Sequence, residues 1–277
     1  MVRKKKKNDA SILHFAAIGV AFLVLIALAA YTIKADPPVR YDKTTLCPLD
    51  GARKNSLSAV NVILIDRTDK ITEIQATDIR KSLEEMATSS LPHEKFRFYE
   101  IVSAAASELR PLLDVCNPGK IDDQTVAGKL ETTEISKRIF NERFIGTLKS
   151  VLERLLTMET QPDSPIMELI QAAVVQDIKH APGGIPRRLI IVSDLMQHST
   201  TYSQYKGLGE KAFFASQAYR RLATDLTGVD VRVLYIPRFS GGSTQPPGHR
   251  EFWTRFFKEL GSRSVSVLPV EGSGWNR

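Results

Sequence analysis

The sequence predicts an α/β protein: a doubly wound, mostly parallel sheet with one antiparallel edge strand, carried behind one N-terminal transmembrane helix. Three observations lead there. Residues 11–33 contain no Asp, Glu, Lys or Arg. Short apolar runs rich in Val, Ile and Leu recur at 59–65 and 189–192, which suits strands buried on both faces. Between them lie segments with apolar residues at helical spacing, and strands alternating with helices indicate a sheet with helices on both sides.

The run 11–33 meets the length of about 20 apolar residues that a bilayer crossing requires. Arg3 and Lys4 to Lys7 precede it, and only Lys34 and Arg40 follow closely. This asymmetry predicts a cytoplasmic tail at 1–10 and export of the rest, hence a single-pass protein of a bacterial inner membrane with a periplasmic C-terminal domain. A cleaved signal peptide is the alternative, with Ala27, Ala29, Ala30 or Ala35 near the cleavage site; it exports the same residues. His14 reads as an interfacial histidine. The formal charge of +7 belongs mostly to this anchor, because beyond residue 34 the chain has 32 basic and 30 acidic residues. No nucleic-acid partner is implied.

Residues 34–58, with Pro37, Pro38, Pro48 and Gly51, read as a linker. The two cysteines, Cys47 and Cys116, both fall in the exported part, so a disulfide between them is expected. The α/β domain is expected over 59–270, ahead of a short tail at 271–277. Its first strand, Ala59 to Ile65, ends at Asp66. A helix over about 72–89 follows, with Ile71, Ile74, Ile79, Leu83 and Met86 on one face. Phe96 to Val102 reads as a second strand, and Leu109 to Val115 as a third, antiparallel to it. A long amphipathic helix is expected over 133–158, with Ile135, Ile139, Phe144, Leu148, Leu152 and Leu155 facing the core. Ser164 and Pro165 suit the N-cap and first turn of a helix reaching about 179. Leu189 to Ser193 is a strand ending at Asp194. Then come a helix at about 209–227, a strand at 229–236, a helix near 250–260 and a strand at 264–268. The stretch Gly241 to Gly248 reads as a loop.

Ligands in open α/β sheets gather beyond the carboxyl ends of the strands. Three polar clusters should meet there: Asp66-Arg67-Thr68-Asp69-Lys70, Asp163-Ser164-Pro165, and Ser193-Asp194. In this order of elements, including the antiparallel pair before the long helix, and in Ile191-Val192-Ser193-Asp194, residues 59–270 resemble a von Willebrand factor A domain. That family carries a metal-ion-dependent adhesion site built from Asp-x-Ser-x-Ser, a Thr and an Asp. The resemblance places Asp66 on the first acidic position, Thr68 on the first hydroxyl, Ser164 on the Thr and Asp194 on the last Asp. Lys70 departs from the second hydroxyl position. Two carboxylates and two hydroxyls would suit Mg²⁺ or Ca²⁺, whereas the Lys70 ammonium could take the cation's place or point into solvent. Helix capping and strand ends account for the same residues without any ligand. The resemblance implies a protein-interaction module that binds a protein partner, with a partner's acidic side chain able to complete the coordination of a bound metal; together with the anchor this reads as a membrane-tethered component of an envelope assembly.

The same residues also admit an enzyme reading. A strand ending in Asp is also similar to haloacid-dehalogenase-like phosphotransferases, with Asp66 as nucleophile, but Thr68 stands where their second Asp transfers the proton. The sequence contains no phosphate-binding Gly-x-x-x-x-Gly-Lys-Ser/Thr, no Gly-x-Ser-x-Gly and no His-Glu-x-x-His. His93, His180, His198 and His249 are dispersed, with His198 near the expected site.

Overall fold

The computed structural model describes residues 14, 17–28, 41–49, 57–66, 71–101, 109–119, 134, 136–157, 163–206, 209–238 and 245–270. The tails 1–10 and 271–277 lie outside these, as do Thr68 and Lys70. The chain divides into two compact units, Met1–Val39 and Arg40–Arg277.

In the first unit, residues 17–28 are helical and expose large apolar side chains, among them Ile18, Phe22 and Leu23. The other positions of the expected 11–33 span are outside the described residues, save His14. Among the described residues no helix is long and apolar enough to cross a membrane.

The second unit is a six-stranded sheet. Its strands are β1 (Ala59–Asp66), β2 (Glu94–Ile101), β3 (Leu113–Cys116), β4 (Arg187–Ser193), β5 (Val229–Tyr235) and β6 (Ser264–Pro269), in the order β3-β2-β1-β4-β5-β6. Only the β2–β3 pairing is antiparallel, as the sequence predicts. β3 is shorter than expected at its start, where Pro111 has no N–H to give to a ladder.

β1 is buried at all of its positions because both sheet faces are covered. Its side chains alternate between two cores. Val60, Val62 and Leu64 meet helix α3 (Ile166–Ala173) and the aromatic face of α6 (His249–Glu259); Ile63 and Ile65 meet α1 (Glu73–Thr88) and α2 (Gly146–Thr157). Asn61, the one polar residue in the middle of β1, donates to Glu94 Oε2 at 3.0 Å and accepts from Arg188.

The expected face of α1 is corrected at Ile74 alone; Ile79 and Leu83 are buried, and Ile71 and Met86 pack against the core. Ile74 is 63% exposed, and the buried residues are Gln75, Ala76, Ile79, Leu83 and Ala87. Thr72 caps this helix reciprocally with Gln75, which fixes the helical phase and turns Ile74 outward. The expected long helix is present, but Ile139–Ile145 is π-helical before α2. Phe140, Phe144, Leu148 and Leu152 recur every four residues. A strict repeat of four drifts around a helix of about 3.6 residues per turn, and the wider π turn offsets that drift. A second π segment, Val174–Ile178, continues α3.

The expected helix at 209–227 is two short helices, α4 (Glu210–Ala215) and α5 (Gln217–Leu222). Ser216 breaks it: its backbone is extended, and its Oγ accepts from Tyr219 N–H at 3.1 Å. The Ser side chain thus competes with the helix and starts a new one.

Cys47 and Cys116 form a disulfide, Cα–Cα 4.7 Å. Residues 41–49, inside the stretch read as linker, make a turn fastened to β3. Cys116 N–H donates to Thr45 O at 2.8 Å, and Leu46 is buried in the core beside Val115. Asp42 holds the turn by accepting from both Thr44 and Thr45 N–H groups, which pull its carboxyl below the usual range.

Candidate functional site

The sheet reverses its winding between β1 and β4, since β2 and β3 extend on one side and β5 and β6 on the other. Such a switch opens a crevice at the carboxyl ends of the two central strands. Asp66 ends β1, and Ser193 ends β4 with Asp194 directly after it.

Asp66, Ser164 and Ser193 converge. The Asp66 carboxylate, 7% exposed, accepts at one oxygen from Ser164 Oγ (2.9 Å) and from Ser193 Oγ (2.7 Å). Ser164 is therefore not the N-cap expected of it. Pro165 holds that position without a side-chain cap, and Ile166 N–H bonds back to Ser164 O at 2.9 Å. The cap comes instead from a distant loop: Gln197 Oε1 accepts from Met167 N–H at 2.9 Å, while Gln197 Nε2 donates to Glu168 at 2.9 Å. Ser164 and His198 exchange backbone hydrogen bonds at 3.0 and 2.9 Å, joining the loop after β4 to the start of α3.

Asp194, next in the chain to Ser193, has its own partners. It is 1% exposed; one oxygen accepts from Met196 N–H at 2.9 Å, and the other faces Arg238 Nε at 3.1 Å. The next residue, Leu195, adopts φ 61° with its side chain buried. A bulky residue there is strained. Its N–H donates to Ser193 Oγ at 2.7 Å, which helps hold the turn that aims Asp194.

Behind Asp194, burial and this carboxylate push the Tyr235 hydroxyl above its ordinary range. Tyr235 Oη meets His249 Nδ1 at 3.0 Å, and Trp253 Nε1 donates to His249 Nε2 at 3.2 Å. Desolvation pushes His249 down to about 4, outweighing a backbone hydrogen bond with Leu195 and the charge of Glu251. His198 occupies the rim. Its Nδ1 is 2.9 Å from Ser203 Oγ, its ring meets Tyr205 edge-on, and Asp163 lies 3.7 Å from Nε2.

Arg238 is a site residue that the sequence pattern does not single out, because Lys70 is the basic residue inside the motif. A signal existed: Arg238 follows the carboxyl end of β5 beside β4, so its side chain can reach the crevice. The segment carrying it is pinned on both sides. Gln245 accepts from Arg238 N–H at 2.8 Å and donates to Asp194 O and Ile236 O, each at 2.9 Å; Gln75 Nε2 donates to Pro237 O at 3.3 Å.

The donor set does not fit a divalent ion well. The hydroxyls of Ser164 and Ser193 donate to Asp66 and keep oxygen lone pairs, but Asp194 already faces a guanidinium whose side chain is only 13% exposed. Repulsion between charges of +2 and +1 at about 4 Å, with an effective dielectric near 20, is roughly 8 kcal/mol. Among the described residues no group of three or more His, Cys, Asp or Glu is placed to hold a metal.

No family model matches the chain, and no curated protein matches it. Solved von Willebrand factor A structures are among those it resembles. A von Willebrand factor type A protein from Catenulispora acidiphila aligns at 8% identity and TM-score 0.45, covering 78% of this chain and 39% of that one. The ArnB paralog VWA2 from Sulfolobus acidocaldarius aligns at 11% identity and TM-score 0.37, covering 74% and 39%. The SpRpn10 VWA domain aligns at 12% identity and TM-score 0.43, covering 78% and 90%. The chain thus spans about two fifths of the length of the first two. At these scores the likenesses bear on no ligand, partner or activity, and the strand order stands on this chain's own pairing registers.

Proposed function

We propose that this protein is a membrane-anchored interaction module whose crevice between β1 and β4 docks a protein partner in a bacterial envelope assembly. The observation that carries the reading is the convergence of Asp66, Ser164, Ser193 and Asp194 at the reversal of the sheet, under a rim of Asp163, His198 and half-exposed Tyr205. A polar floor with an aromatic rim residue suits protein recognition.

Residues 11–33 anchor the chain in the inner membrane, with the N-terminus cytoplasmic and the Arg40–Arg277 unit periplasmic. The basic run at residues 3–7 supports this orientation. The exposed apolar side chains of the 17–28 helix support burial in lipid, and the disulfide suits an oxidising compartment.

Photocrosslinking in native membranes tests the reading. A benzophenone amino acid at Tyr205 should yield a discrete protein adduct that resists alkaline extraction with the membrane fraction. The same probe at exposed Ile74, on α1, should not yield it. Absence of an adduct from position 205, or an identical adduct from both positions, refutes the proposal.

A further inference from the structure

We propose that Arg238 is the resident cation of this crevice, so that the site works without a divalent metal. The guanidinium pairs with Asp194 at 3.1 Å, both side chains being largely buried. It arrives pre-positioned, because Gln245 and Gln75 fasten the backbone at 237–238 while Gln245 also binds Asp194 O. A buried carboxylate needs a positive partner, and here the chain supplies one from the segment that follows β5. Asp66 is served differently, by two hydroxyl donors on the same oxygen, Ser164 and Ser193. A metal would have to share Asp194 with the guanidinium, because one carboxylate oxygen already accepts from Met196 N–H and the other faces Arg238. The inference concerns the crevice proposed above as the contact face, yet its test uses no partner, so either can fail alone.

The test is titration of the EDTA-stripped full-length chain, in detergent micelles, with Mn²⁺, following the free ion by electron paramagnetic resonance. The parent should show no binding in the millimolar range that Asp194→Asn removes. Arg238→Ala should gain at least about tenfold in Mn²⁺ affinity, and Asp194→Asn placed on top should erase the gain. Arg238→Gln, which keeps a donor towards Asp194 and removes the charge, should show the same gain if Arg238→Ala does not fold. Mn²⁺ binding by the parent that depends on Asp194 overturns the proposal. So does a folded Arg238 variant whose Mn²⁺ affinity equals that of the parent.

Discussion

Lowering the pH from 7 towards 4 should destabilise this domain through one side chain, His249. It is 4% exposed, opens α6, and lies against Tyr235 Oη and Trp253 Nε1. Nε2 lies 3.2 Å from both Trp253 Nε1 and Gln204 Oε1, so it is burial, more than any one hydrogen bond, that holds the ring neutral. Protonation would place a charge in a desolvated site at the positive end of a helix. The folded value is pushed down to about 4, against about 6.5 for an unfolded histidine. The unfolded chain therefore binds the proton first as pH falls. The stabilisation is complete above about 6.5 and is lost progressively as pH falls through about 4. The gap is worth at most about 3 kcal/mol. Urea unfolding of the parent and of His249→Gln at intervals from pH 7.5 to 4 measures it. The parent should lose about 3 kcal/mol more than the variant over that window. Parallel stability curves for the two proteins would refute the assignment to His249.

Two further outcomes are expected. Cys116→Ser should lower unfolding stability by about 4 kcal/mol, as chain entropy predicts for a bridge spanning 69 residues, and non-reducing mass spectrometry of the parent should find Cys47 and Cys116 in one linked peptide. Leu83→Ala, at a fully buried position of α1, should cost about 2–5 kcal/mol in urea unfolding, whereas Ile74→Ala on its exposed side should stay within about 0.5 kcal/mol; equal costs would restore the original helix face.

The strands were legible because their apolar runs answer to burial on both faces, which needs no knowledge of partners in space. That is why Ala59–Asp66 and Arg187–Ser193 fall close to where the sequence places them. The antiparallel β3 was legible too, from its position after β2 and before the long helix. Helix phase and continuity were harder, since both turn on local side-chain hydrogen bonds. Thr72 and Gln75 rotate α1 so that Ile74 faces out, and Ser216 splits a pattern that periodicity reads as one helix. At the site, the meeting of Asp66 with Ser164 and Ser193 follows from topology. Their mutual bonding, and the approach of Arg238 to Asp194, depend on a clamp between Gln245 and residues 194, 236 and 238 that no spacing rule encodes.

That clamp bears on how such a crevice would engage a partner. Asp66 and Asp194 end adjacent central strands, and without compensation two buried carboxylates there would oppose folding. The chain compensates one with hydroxyls and the other with a guanidinium. Each compensating group is held in turn: Ser164 by paired backbone bonds with His198, Arg238 by Gln245, and the start of α3 by Gln197. A floor already ordered in this way leaves little conformational entropy to lose on docking. On the proposed reading, discrimination between partners then falls to the rim, where His198, Tyr205 and Asp163 are partly exposed.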